Sequence, residues 1–89
     1  MTKLINAMQI RAARGLISWS QGKLAKEAGL SINSVAKFER GEVNTTMGTL
    51  VSLIEALEKV GIEFWNEKDG SYGVIYRPAQ DSTASKPPE

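Results

Sequence analysis

Hydrophobic and polar positions follow a helical spacing in four stretches of the chain, and each stretch begins near a serine or threonine and ends at a glycine. In the first, over residues 3–15, Ile5, Met8 and Ala12 form the predicted apolar stripe, with Ile10 and Ala13 beside it, and Thr2 is the candidate cap. Hydroxyl side chains accept hydrogen bonds from the free N–H groups of a first turn, and glycine adopts the left-handed conformation that ends helices. The pattern therefore predicts four helices.

The other three predicted helices span residues 21–28, 32–40 and 47–59. Ser20 and Ser31 are the expected caps of the second and third, and Thr45 or Thr46 of the fourth. The fourth has the strongest predicted buried face, which is formed by Leu50, Val51, Ile54 and Leu57 and is widened by Leu53 and Val60.

After residue 61 the period changes from helical to alternating. Ile62 and Phe64 alternate with polar Glu63, and an Asp-Gly pair at 69–70 precedes an aromatic and β-branched run over 72–77. This arrangement predicts a β-hairpin, which must pack on the fourth helix or on another chain because a lone hairpin is marginally stable. The chain thus divides into a helical body over 1–61, a hairpin over 62–77 and a proline-containing tail over 78–89 that we expect to be disordered.

Composition narrows the classes of function. The 89 residues include no cysteine and no histidine, so disulfides are excluded and the commonest zinc ligand and general base are missing. No apolar run approaches the roughly 20 residues that span a bilayer, and the N-terminal stretch lacks the features of a signal peptide. We expect a cytoplasmic protein that is not an enzyme, needs no cofactor or metal and does not bind a membrane.

Charge is distributed unevenly. Residues 1–61 carry eight basic and five acidic side chains, whereas residues 62–89 carry three basic and five acidic ones. A basic body permits contact with a polyanion, although many inert domains carry a similar charge.

A denser pattern spans the second and third helices. Apolar residues at positions 24, 30, 35 and 38 surround Ala25, whose small side chain lets two helices cross closely, and Gly29, which permits a tight turn. This spacing predicts a helix-turn-helix, in which the second helix of the pair enters the major groove of DNA.

The block from Gln21 to Gly41, with Leu24-Ala25, Gly29, Ser34-Val35 and Phe38-Glu39-Arg40-Gly41, resembles the XRE/Cro-type, lambda-repressor-like helix-turn-helix family. The resemblance covers about residues 5–61. It implies a mainly α fold: a lambda-repressor-like bundle of about four helices, here followed by a C-terminal β-hairpin that the basic family pattern lacks.

The resemblance also implies base-reading positions, which are occupied by Ile32, Asn33 and Lys37. Their chemistry suits the role, since asparagine binds adenine through two hydrogen bonds, lysine donates to guanine and an aliphatic side chain meets the thymine methyl. The ordinary alternatives are that Ile32 packs against the second helix and that Asn33 and Lys37 are solvated surface.

Other positions correspond to phosphate contacts and to a structural ion pair. The resemblance places Gln21, Ser34 and Arg40 near the DNA backbone, and Lys23, Lys26 and Arg11 would add charge there if they face phosphates. It also matches Arg14 and Glu39 to a buried salt bridge between the first and third helices.

The predicted function is sequence-specific binding of double-stranded DNA by a transcriptional regulator. One reading helix covers too few base pairs for specificity, so we expect a homodimer on an inverted-repeat operator that acts by occupancy, as a repressor or an activator. The expected dimer interface is the hairpin, whose edge strand and apolar side chains are available: Trp65, Tyr72, Val74, Ile75 and Tyr76.

Two alternatives use the same fold. The first is a DNA-binding antitoxin, whose tail over 78–89 orders on a toxin, and the second is a protein-interaction module that has lost DNA contact. The partner protein would be a toxin in the first case, and polymerase is the expected partner of a regulator that recruits it.

Overall fold

The computed structural model describes residues 5–42 and 46–78, which form four helices and an antiparallel hairpin. The elements are α1 (Ala7–Ile17), α2 (Gln21–Ala28), α3 (Ile32–Glu39), α4 (Met47–Lys59), β1 (Ile62–Asn66) and β2 (Tyr72–Tyr76). The predicted fold class is confirmed, and the bounds of α2 and α4 are those predicted. The predictions for Thr2, for Thr45 and for the tail from residue 79 onward lie outside the described residues.

The prediction for the start of the first helix is wrong, because α1 begins at Ala7 and not at Lys3. Asn6 caps it: its side-chain oxygen accepts a hydrogen bond from the Gln9 N–H, and the Gln9 side chain accepts one from the Asn6 N–H, each at 3.0 Å. This reciprocal capping box satisfies two N–H groups that the first turn leaves free.

The prediction for the end of α1 is also wrong, because the helix continues through Gly15 to Ile17. Ser18 ends it in the left-handed conformation, with φ of 58°. The predicted apolar stripe is confirmed only in part: Ile5, Ile10 and Ala13 are buried, whereas Met8 and Ala12 are exposed. Gln9, which the pattern did not place in the core, is buried as well.

The core lies where the four helices meet. Its centre is formed by side chains without exposed surface from all four helices: Ile10, Leu24, Val35, Leu53 and Leu57. The predicted face of α4 needs one correction, since Val51 is 41% exposed and Ala56 is buried in its place. Buried positions 53, 56 and 57 follow the i, i+3, i+4 spacing of one helix face.

The turn between α2 and α3 follows the predicted motif. Gly29 has φ of 73°, and the next N–H, that of Leu30, donates to the Ala25 carbonyl at 2.9 Å. Ser31 then caps α3 by accepting a hydrogen bond from the Ser34 N–H at 3.1 Å. The third helix therefore starts at Ile32, after a connection of only three residues, as in a helix-turn-helix.

The hairpin packs on the helices through one face. Ile62 and Phe64 are buried and Val74, paired with Phe64, packs against the same core. The hairpin contacts both α1 and α4, whereas only the fourth helix or another chain was predicted as its support. It is thus part of the same hydrophobic core as the helices, and its second strand ends at Tyr76, one residue earlier than predicted.

We expect Gly61→Ala to destabilise the domain. Gly61 has φ of 114°, and a β-carbon there would lie 2.4 Å from the Arg77 carbonyl oxygen, where the backbone closes the hairpin. Left-handed strain and this clash together predict a loss of roughly 2 kcal/mol or more in the free energy of unfolding, measured by urea denaturation.

Gly15→Ala is the matched control. This glycine lies inside α1 with nothing within 4 Å of a β-carbon. Alanine there should stabilise the domain by about 0.5–1 kcal/mol, because glycine costs that much in a helix interior. Equal effects of the two substitutions would contradict the role given to Gly61.

Candidate nucleic-acid interface

The outer face of α3 is open to solvent. Asn33 and Lys37 lie one helical turn apart and are both exposed, and neither side chain has a partner in the part of the chain that the structure describes. An amide and an ammonium group are thus presented side by side on a short helix. That arrangement leaves both groups available for hydrogen bonds with the edges of bases.

Ile32 lies at the first position of α3, and its surroundings fit both roles predicted for it, a base contact and packing against α2. Its side chain is 53% exposed, yet its Cδ1 atom lies 3.6 Å from the position that a β-carbon on Gly22 would take. One side of Ile32 therefore lies alongside the start of α2, and the other side remains exposed beside Asn33.

The residues predicted to contact phosphate differ in whether their side chains already have a partner within the protein. Lys26 is exposed and has no ion-pair partner within the described segments. Lys23 forms a salt bridge of 3.2 Å with Glu27, and its ammonium lies 5.6 Å from the centre of the Trp19 ring. Exposed ion pairs of this kind contribute little, so a phosphate can replace the carboxylate at small cost.

The other predicted phosphate contacts also have protein partners. The Arg40 guanidinium bonds to the Glu42 carboxylate at 2.8 Å, with both side chains exposed. The Ser34 hydroxyl accepts a hydrogen bond from the Ser31 hydroxyl at 3.1 Å. Gln21 is partly buried, and its side-chain amide donates a hydrogen bond to the Glu39 carboxylate at 3.0 Å.

Glu39 is the charged centre on which the helix-turn-helix is assembled. It is 4% exposed and accepts two hydrogen bonds of 2.7 Å from the Arg14 guanidinium. The predicted ion pair is therefore bidentate, and Gln21 adds a third bond to the carboxylate. One carboxylate thereby joins side chains from α1, α2 and α3.

The protonation of Glu39 reflects these partners. Burial would raise the pKa of this carboxyl, but hydrogen bonds from Arg14 and Gln21 and the nearby positive charge outweigh it, so the pKa lies below its usual value. The same hydrogen bond raises the pKa of Arg14. The pair is accordingly ionised at neutral pH.

Two polar residues of α1 make contacts within the domain that the sequence did not predict. The Arg11 guanidinium donates to the Glu39 carbonyl at the C-terminal end of α3, where a positive charge is favourable. Gln9 is 1% exposed and bonds to the hairpin. The spacing Asn6-x-x-Gln9 is that of a capping box and was a readable signal for the start of α1, but no sequence signal indicates the contact with the hairpin.

The predicted dimer residues divide between the two faces of the hairpin. Trp65 and Ile75 lie on the outer face, and Trp65 is 47% exposed with its indole N–H donating to Glu67. Val74 faces the core of its own subunit. Tyr72 and Tyr76 lie at opposite ends of the inner face and are 43% and 38% exposed.

Comparison with known proteins identifies the family. A family model described as helix-turn-helix matches residues 10–65, well over half of the chain. The chain belongs to this helix-turn-helix family. Its XRE-type, lambda-repressor-like form is the fold of DNA-binding regulators, as predicted from the block between Gln21 and Gly41.

The helix-turn-helix chain is similar to two curated relatives, both named Antitoxin HipB, from two strains of Escherichia coli. They are 35% and 33% identical to it over 57 residues. The matches cover 64% of this chain and 62% and 58% of the relatives, so the chain spans about three-fifths of the length of the curated relatives it matches.

Solved structures agree with this assignment. A chain of the HipA-HipB-O2-O3 complex superposes with a TM-score of 0.56 and 27% identity, over 65% of this chain and 87% of that one. The DNA-binding domain of the P22 C2 repressor superposes with a TM-score of 0.54 and 29% identity, over 65% and 76% of the two chains.

Metal sites and membrane spans are absent from the described residues. Over 5–42 and 46–78, histidine, cysteine and acidic residues form no group of three that would hold a metal ion. In the same segments, each helix is too short or too polar to cross a membrane.

We expect Glu39→Gln to destabilise the domain at pH 7 by about 3 kcal/mol, because it leaves Arg14 without its charged partner. The pKa of Glu39 is lower in the folded chain than in the unfolded chain. The contribution of the pair is therefore complete above the unfolded value of about 4.3 and is lost as the pH falls through the folded value. Thermal melts from pH 7 to pH 2 should show a shallower acid-induced decrease for the variant.

Glu27→Gln provides the comparison for this experiment. It removes a carboxylate from an exposed i, i+4 pair with Lys23 and should change stability by no more than about 0.5 kcal/mol. A Glu39→Gln melting curve that coincides with that of the wild type would refute the structural role of the pair.

Proposed function

We propose that this chain is a sequence-specific transcriptional regulator that binds an inverted-repeat operator in double-stranded DNA as a homodimer. It acts by occupying the operator, as a repressor or as an activator. The observation that carries the proposal is the exposed face of α3, on which Asn33 and Lys37 have no partner among the described residues. The proposal assigns no catalysis to the chain.

The base-reading role falls to three side chains of α3. Asn33 would bind adenine through two hydrogen bonds, Lys37 would donate to guanine, and the exposed part of Ile32 would contact a thymine methyl. Each good contact contributes roughly 1–3 kcal/mol of discrimination between bases. The aliphatic chain of Ile32 is held at its inner side by α2, which favours a defined position in the groove.

Phosphate contacts would surround the reading helix. Lys26 is free to approach the DNA backbone, while Lys23 and Arg40 would exchange exposed carboxylate partners for phosphates. Ser34 and Gln21 would donate from the start of α3 and of α2. Because Gln21 also bonds to Glu39, a phosphate contact there would be braced by the buried ion pair.

The dimer would form through β2. The bonds from Glu67 N–H to the Ser71 carbonyl and from Arg77 N–H to the Gly61 carbonyl set the hairpin ladder. With that ladder, the N–H and C=O groups of residues 72, 74 and 76 point away from β1, and no third strand pairs with them among the described residues. A second copy of β2 fits this edge and would join two hairpins into one four-stranded sheet.

Apolar surface beside this edge supports the same arrangement. In the ladder Trp65 is opposite Gly73, which has no side chain to cover its ring, and a groove of about 260 Å³ lies along β2 between Trp65, Tyr72 and Ile75. Exposed aromatic residues beside an unpaired strand edge are typical of interfaces.

Selection of bound oligonucleotides from a random pool tests the function directly, and an inverted repeat is the expected result. On the selected site, Lys37→Ala should change the preference at one base position by roughly 1–3 kcal/mol. Lys26→Ala should weaken all sequences alike and reduce the salt dependence by about one ion. The groove assignment is wrong if neither substitution alters DNA binding.

We expect the wild type to sediment as a dimer at tens of micromolar and Trp65→Glu to sediment as a monomer, because a carboxylate would be desolvated at the interface. The substitution should leave the fold of the monomer intact, since Trp65 lies on the outer face of the hairpin. Met47→Glu adds the same charge at the exposed start of α4 and should remain dimeric. A dimeric Trp65→Glu variant would exclude the hairpin as the interface.

A second candidate function is that of a DNA-binding antitoxin. The observation in its favour is the similarity to proteins named Antitoxin HipB and to a chain of the HipA-HipB-O2-O3 complex. On this proposal the chain would bind both its operator and a toxin. Growth rescue on coexpression with a protein encoded beside it would distinguish the antitoxin from a regulator that acts on DNA alone.

A further inference from the structure

Gln9 joins the hairpin to the helical body through a buried amide. Its Nε2 atom lies 3.2 Å from the Trp65 carbonyl, 3.1 Å from the Gly73 carbonyl and 3.2 Å from the Asn66 side-chain oxygen. Its Oε1 atom accepts the Asn6 N–H at 3.0 Å. One side chain, 1% exposed, therefore touches the start of α1 and both strands of the hairpin.

These bonds differ in kind from the apolar contacts around them. Ile62, Phe64 and Val74 hold the hairpin on the helices by burial, which is not directional and permits small rotations. Hydrogen bonds weaken steeply when their angles change, so the Gln9 amide restricts the orientation of the hairpin. The Tyr72 hydroxyl also lies 3.6 Å from the Met8 sulfur, but that pair is exposed and sulfur is a weak acceptor.

The helix that carries Gln9 also carries the side chains that hold α3. Arg14 binds the Glu39 carboxylate, and Arg11 binds the Glu39 carbonyl at the end of α3. The single helix α1 thus bonds through Gln9 to β2 and through Arg11 and Arg14 to α3, the helix with the open Asn33 and Lys37 face.

We propose that Gln9 is a positioning residue that fixes the angle between the hairpin and α3, and thereby the half-site spacing that the dimer accepts. The proposal rests on the proposed function in one respect, since a spacing exists only for a dimer joined through the hairpin. Gln9 itself touches no DNA; it acts through the relative orientation of two elements.

Gln9→Met tests this role, because methionine has a similar length and volume but no donor. The Trp65 and Gly73 carbonyls keep their partners in the hairpin ladder, so the variant should fold and dimerise. Affinity for a single half-site should stay within about twofold of the wild type, because no base contact changes.

The decisive readout is affinity for a series of operators whose spacer grows by one base pair. Each added pair moves one half-site by about 3.4 Å and rotates it by roughly 35°. The wild type should lose at least about tenfold in affinity per step, the cost of one base contact, whereas Gln9→Met should lose less than about threefold. A variant with the spacing profile of the wild type, or a folded variant that no longer dimerises, would overturn the proposal.

Asn6→Ala is the matched control. It removes the other half of the capping box but leaves the bonds from Gln9 to the hairpin. It should therefore lower Tm and keep the spacing profile of the wild type. A flattened profile in Asn6→Ala would attribute the effect to stability alone and would count against Gln9.

Residual dipolar couplings provide a readout that needs neither DNA nor a dimer. In the wild type, the amides of β2 and α1 should fit one alignment tensor; in Gln9→Met those of β2 should be reduced or need their own tensor. Unreduced β2 couplings in the variant would overturn the proposal, whatever DNA the wild type binds. Failure of the wild type to bind an inverted repeat would contradict only the proposed function. If Gln9→Met does not fold, Gln9→Asn, whose amide is one methylene short of the hairpin, replaces it in both measurements.

Discussion

The buried carboxylate of Glu39 is the interaction on which the arrangement of the helices depends. A charge removed from water is unfavourable unless hydrogen bonds replace its solvation, and here the replacements come from Arg14 on α1 and Gln21 on α2. The three helices must therefore approach together for the carboxylate to be satisfied. This condition places the last turn of α3 against the body of the domain while its outer face, with Asn33 and Lys37, stays in solvent.

The second organising feature is that α1 serves two partners with different residues. Arg11 and Arg14, in its second and third turns, hold α3, and Gln9, in its first turn, holds the hairpin. The family match extends over residues 10–65, so β2 and Gln9 both lie outside it. The link between the hairpin and the helices therefore depends in part on residues beyond the matched segment.

The helix-turn-helix could be predicted from the sequence because its signals are local. Ser20, Gly29 and Ser31 each specify a cap or a turn within four residues, and α2 and the start of α3 have the predicted bounds. The buried face of the first helix could not be predicted in the same way, since Met8 and Ala12 follow helical spacing but face solvent and the buried Gln9 has the polarity of a surface residue. Its environment is created by residues 56 to 64 positions away, and no local pattern encodes a contact of that range. The roles of the site residues on α3 were predicted from the family resemblance. The structure adds that their side chains are accessible.

The two tryptophans lie in different parts of the domain, one in each of the regions that bind a partner in the proposed function. Trp19, partly buried before α2, has the Lys23 ammonium 5.6 Å from its ring centre, whereas the half-exposed Trp65 lies on the outer face of the hairpin. Indole emission shifts with the polarity of its surroundings. The chain thus carries two built-in optical probes, and single-tryptophan versions would follow its contacts with nucleic acid and with itself by separate fluorescence signals, without any attached dye.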